Sequence, residues 1–131
     1  MQWWRHRADL LSAAVDRVCE EINEAADLAT EYWLIDEPTS GDVNSLEARL
    51  VGRQLRLQQL ITALESHTLQ FPTPTTVGPL LVDLYDAMTG GEFRVQRRAQ
   101  DLDRAQLVQA KAAELNGELR QAIAKRFRPW R

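Results

Sequence analysis

Apolar residues recur along this chain at steps of three and four, the period of one helical face. Leu11, Val15, Val18, Ile22, Ala25, Ala29 and Trp33 mark a first stripe and predict a helix over residues 8–33, uninterrupted by Gly or Pro. Pro38, Ser40 and Gly41 stop it. Leu46, Leu50, Leu57, Ile61 and Leu64 predict a second helix over about residues 43–67, with Asp42 or Asn44 placed to cap its start. Residues 68–78 carry Pro72 and Pro74 among four Thr and read as a loop, because a residue before proline is pushed toward extended backbone. Pro79 suits the first position of a short third helix that ends near Thr89, with Gly90 and Gly91 as its stop. Leu102, Ala105, Val108, Ala112, Leu115, Leu119, Ile123 and Phe127 mark a fourth helix, expected to start between Phe93 and Arg97 and to run to Phe127. Asn116 and Gly117 interrupt its composition but not its phase, which reads as a weak point or a close helix contact rather than a turn.

The first two stripes fit one another. In an antiparallel pair, facing residues have numbers that add to a near-constant value. Trp33 with Leu46, Ala29 with Leu50, Ile22 with Leu57, Val18 with Ile61 and Val15 with Leu64 all add to 79. Glu31 with Arg49, Asp27 with Arg53 and Glu24 with Arg56 all add to 80. One register therefore matches apolar to apolar and acid to base, which predicts an αα-hairpin. The fold class expected is all-α: an antiparallel helical bundle of three long helices plus one short helix, built on this N-terminal hairpin, as a single domain over residues 1–131.

The same register gives the charged stripes a plain role. Glu20, Glu24, Asp27 and Glu31 could be taken for a metal-binding face, and Arg49, Arg53 and Arg56 for a phosphate-binding one. Flanking ion pairs explain both more simply. Tyr32, Trp33, Phe71, Tyr85 and Met88 are the residues available to line a small-ligand pocket, but at these positions they read first as core.

Composition adds bounds. The 131 residues are 44% hydrophobic and 27% charged, ordinary values for one globular domain. No apolar run reaches the roughly 18 residues of a membrane span, and residues 1–7 are not followed by a signal-peptide pattern. The single Cys19 excludes an intrachain disulfide and a Cys-rich zinc site, and fits a reducing cytoplasm. Fourteen of the sixteen basic residues are Arg, which suggests a GC-rich, bacterial genome.

Catalytic patterns are thin. Residues 34–42 look like the Walker B segment and following loop of an ABC-type ATPase, but no G-x-x-x-x-G-K-[ST] phosphate loop accompanies them, and their apolar part continues a helix. Gly90-Gly91-Glu92-Phe93 resembles the signature loop of diguanylate cyclases, one acid short and without surrounding strands. His6 and His67 form neither a Glu-x-x-His nor a His-x-x-x-His pair. Cys19 reads as an inert, partly buried thiol. No enzyme activity and no cofactor is expected.

Two expectations concern partners. A short third helix leaves a groove uncovered and a long fourth helix overhangs its neighbours, so a homodimer is expected through Leu115, Leu119 and Ile123. The chain ends, residues 1–7 and 125–131, carry +6 with no acid, against −9 for the remainder. They hold Trp3, Trp4, Arg5, Arg7, Lys125, Arg126, Arg128, Trp130 and Arg131. With helices alternating up and down, both ends emerge on one pole, and Trp with Arg is the composition that settles at an anionic bilayer surface. The expected role is a non-enzymatic interaction or scaffold module, cytoplasmic and peripheral to a membrane. A nucleic-acid-binding protein is disfavoured by the net charge of −3, and a small-ligand sensor rests on the aromatic residues alone.

Overall fold

The computed structural model describes residues 2–36, 40–66, 70–95 and 99–126, with Gln2, Trp4 and Ser40 described by backbone only. Four helices occupy most of this chain: α1 (Gln2–Trp33), α2 (Ser40–Glu65), α3 (Val77–Thr89) and α4 (Leu102–Arg126). No strand occurs among the described residues, and the all-helical bundle matches the expected class.

Polar contacts fix the topology. Tyr32 donates its hydroxyl to Glu47 at 2.9 Å, numbers that add to 79, so α1 and α2 form the expected antiparallel hairpin. Asn116 donates to Asn23 at 2.8 Å and Arg120 to Asp16 at 2.8 Å, so α4 runs antiparallel to α1. Thr76 donates to Glu118 and Arg104 to the Asp86 carbonyl, so α3 runs antiparallel to α4. The order is up, down, up, down, with α1 packed extensively against both α2 and α4. One hydrophobic cluster draws on all four helices and includes the apolar stripe positions from Leu11 to Leu119 named above except Leu102, which opens α4 and is exposed.

Helix ends are where expectation and structure part. α1 begins six residues early, at Gln2, because nothing between Gln2 and Ala8 breaks a helix. α2 begins at Ser40, so Asp42 sits in its first turn and Asn44 further in; neither is the cap, though a carboxylate there suits the helix dipole. Pro79 is the third residue of α3, still within the turn whose N–H groups have no helical partner. α4 begins at Leu102, well after the expected 93–97. Asp101 caps it: its side-chain oxygen accepts the Arg104 N–H at 2.9 Å. Residues 90–95 are instead used as packing. Gly91 turns the chain with φ of +57°, and Phe93 then lies 5.3 Å from the Tyr32 ring, just past the end of α3.

These ends reverse the expected overhang. By rise per residue α1 is about 48 Å long and α4 about 38 Å. α4 is continuous through Asn116 and Gly117. Gly117 has open space around it rather than a close neighbour, so it is not a contact point. Over the described residues the helix that outruns its neighbours is α1.

Candidate functional site

Three groups of side chains that the sequence singles out are structural. Tyr32, Trp33, Phe71 and Met88 are all buried to within 1%. The Trp33 indole donates to the Met88 carbonyl at 2.8 Å and lies edge-on to Tyr32 at 5.0 Å. They belong to the buried core. Tyr85 is half-buried and donates to the Gln54 carbonyl at 3.2 Å.

Burial pushes the Tyr85 hydroxyl up from about 10 to about 12. The unfolded chain therefore releases this proton first as pH rises. The group's contribution to stability is complete below pH ~10 and is lost as pH climbs toward ~12. Tyr85→Phe is expected to flatten that part of the alkaline decline in urea melts; an unchanged slope would count against it.

The second group is the charged flank of the hairpin. Arg53 reaches Glu21 at 3.0 Å and Glu24 at 2.7 Å, and Arg56 reaches Glu21 at 3.8 Å. The ion-pair reading holds, but its register lies one helical turn from the expected partners. Asp27 instead accepts a hydrogen bond from Gln109 on α4. Glu21 is outside the acidic stripe read from the sequence, yet it pairs with two arginines of α2 and is 6% exposed. Its carboxylate raises the Arg53 guanidinium above its ordinary value. The signal for it was available: Glu21 is one step from the buried Ile22 and on the side that faces α2.

The third group corrects the expected dimer face. Leu115 and Leu119 are fully buried in the chain's own core, and Ile123 is partly buried against it. The expectation rested on an overhanging α4, and over the described residues α4 ends short of the start of α1. Cys19 is buried, which pushes its thiol up. Among the described residues no group of His, Cys, Asp and Glu is placed to hold a metal ion. His67 lies outside them.

The chain ends are different. Extending the Arg120–Asp16 pairing places Arg126 opposite about residue 10 of α1. Extending the Tyr32–Glu47 pairing places Glu65 opposite about residue 14. The first turns of α1 therefore stand beyond the last described turns of both neighbours, on the pole where α4 finishes. Trp3 is 71% exposed there, and Arg5, His6, Lys125 and Arg126 are exposed with Arg7 half-buried. Asp9 is the nearest acid along α1. The antiparallel packing of α1 on α4 thus brings Arg5 and Arg7 to the same pole as Lys125 and Arg126. Trp4 lies on the same helical segment; Arg128, Trp130 and Arg131 lie outside the described residues. Exposed Leu10, absent from the set read from sequence, belongs to this surface.

No helix among the described residues is long and apolar enough to cross a membrane. Comparison of the chain with protein-family models, with curated proteins and with solved structures finds no match.

Proposed function

We propose that this protein is a non-enzymatic docking module that binds an anionic bilayer surface through the pole shared by the start of α1 and the end of α4. One observation carries the reading. Cations from two helices, Arg5 and Arg7 with Lys125 and Arg126, share a pole with a largely exposed Trp3, on a chain whose remainder is −9. A cation near an anionic leaflet gains about 1 kcal/mol, and an exposed indole settles at headgroup level. An acidic body is repelled by the same leaflet, so attraction is confined to the pole.

Flotation with lipid vesicles tests this. The protein is expected to float with vesicles containing phosphatidylglycerol and to stay behind with phosphatidylcholine alone. Binding is expected to weaken as salt rises, since surface charge is screened beyond about 10 Å at 0.1 M. An Arg5→Glu, Lys125→Glu double variant replaces two exposed cations by anions and is expected to bind more than tenfold more weakly. Arg17→Glu, on the body of α1, is expected to change binding far less. Equal binding to neutral vesicles, or by the double variant, would overturn the proposal. Retention on duplex DNA without vesicle binding would replace it with nucleic-acid recognition.

A further inference from the structure

The line of α1 that faces α2 does not stop where α2 stops. Ala14 is partly buried against the core and Glu21 is buried against Arg53 and Arg56 of α2. Moving toward the N-terminus, the same line holds Leu10 and Trp3, seven residues apart and so within about 20° of each other around the helix. By then α2 has ended, and these two side chains are 49% and 71% exposed. Other large apolar side chains are exposed among the described residues, Leu34, Leu55, Val82, Val95, Leu102 and Leu107, but Leu55 and Val82 are alone in this on their helices and Leu102 and Leu107 lie about 140° apart around α4. Among the exposed large apolar residues described, it is on the first turns of α1 that two share a helical line. Between them on that side stands Arg7.

We infer that this Trp3–Leu10 ridge is the element that enters the bilayer, an inference that rests on the docking role proposed above. The occupant follows from charge. A ridge that carries Arg7 on its own side, at a pole it shares with Arg5, Lys125 and Arg126 on the α4 side of α1, is complementary to an apolar layer beneath an anionic one, the layering of an acidic leaflet. An apolar groove on a protein partner would need matching acids around its rim and would gain nothing from the indole's preference for the headgroup boundary. Because the two anchors are about 10 Å apart along one helix, the first turns of α1 lie along the surface rather than pointing into it. The end of α2 stands beside the same line, so the bundle leans. Leu10 makes the ridge an anchor in its own right: Trp3 alone, near the chain end, would fix neither direction nor depth.

Depth can be read with an environment-sensitive dye. The buried Cys19 is replaced by Ala, and single cysteines are placed at Trp3, Leu10 and, as a reference, the exposed Leu55. Each is labelled with a nitrobenzoxadiazole probe and mixed with phosphatidylglycerol vesicles. Probes at 3 and 10 are expected to brighten and shift to the blue, and the probe at 55 to stay unchanged. In the otherwise unaltered chain, Leu10→Gln is expected to weaken vesicle partitioning roughly five- to tenfold, because about half of the Leu10 surface is left to be removed from water on insertion. Since Leu10 is exposed, that variant keeps its fold, which far-UV circular dichroism checks. Vesicle binding with no response at position 10, or with Leu10→Gln binding unchanged, overturns the ridge while leaving electrostatic docking intact. Absence of any vesicle binding overturns both.

Discussion

Replacing Trp33 with Ala is expected to cost about 3–5 kcal/mol of folding stability, the largest single-residue effect in this chain. Three elements meet on this side chain. Its indole N–H satisfies the Met88 carbonyl at 2.8 Å, near the end of α3, where helical partners run out. Its face carries the Arg104 guanidinium at 4.9 Å, and Arg104 in turn donates to the Asp86 carbonyl at 2.7 Å and the Ala87 carbonyl at 3.2 Å. Its edge meets Tyr32. Truncation opens a cavity under α3, leaves the Met88 carbonyl unpaired and removes the surface on which Arg104 rests. Urea unfolding followed by circular dichroism is expected to show the loss, with a fall in melting temperature of roughly 10–20 °C. Trp33→Phe keeps most of the volume and is expected to lose only about 1–3 kcal/mol, mainly for the unpaired carbonyl. A loss below about 1 kcal/mol for the Ala variant would mean that the end of α3 is held by Arg104 alone.

Leu115→Ala is expected to lose about 2–5 kcal/mol, and the loss is expected to be independent of protein concentration. Leu115 is fully buried and has no exposed surface to offer a second chain. If it served instead at an interface between copies, the unfolding midpoint of the parent would rise with concentration and the variant would lose that dependence. Melts over about a hundredfold range of concentration separate the two. A parent midpoint that climbs across this range, together with a flat variant, would restore the face that the sequence pattern suggests.

The contrast between these residues and the chain ends marks how far the sequence could be read. Leu11 to Trp33 and Leu46 to Leu64 are buried as their spacing implies, because a helix that must cover a core has few other ways to arrange its apolar residues. The start of α4 was not legible. Residues 93–101 continue a helical composition, but Phe93 is worth more against Tyr32 than in another turn of helix, and Asp101 offers a cap that a propensity scale does not weigh against tertiary contacts. Two boundaries, the start of α4 at Leu102 and the start of α1 at Gln2, together move the overhang from α4 to α1, and with it the reading of Leu115 and Leu119. The ion pairs slipped for a related reason. Number sums locate which turns face each other but not which side of a turn, and Glu21 rather than Asp27 points toward α2. For the candidate site, composition identified the cations and Trp3. Leu10 was invisible because its exposure depends on where α2 ends.

The pairing of α1 with α4 joins parts of the chain as far apart as Asp16 and Arg120, a separation of 104 residues. Closing a loop of that size costs about 4 kcal/mol of chain entropy beyond a fixed term, whereas the α1–α2 hairpin closes over a far shorter span. Formation of the hairpin ahead of the α4 contacts is therefore favoured on the way to the native state. A chain halted at the hairpin would present Trp3 and Arg5 with no cations from α4 beside them. The full complement of charge at this pole assembles only with that long-range closure, so the docking role proposed above belongs to the finished molecule and not to the hairpin.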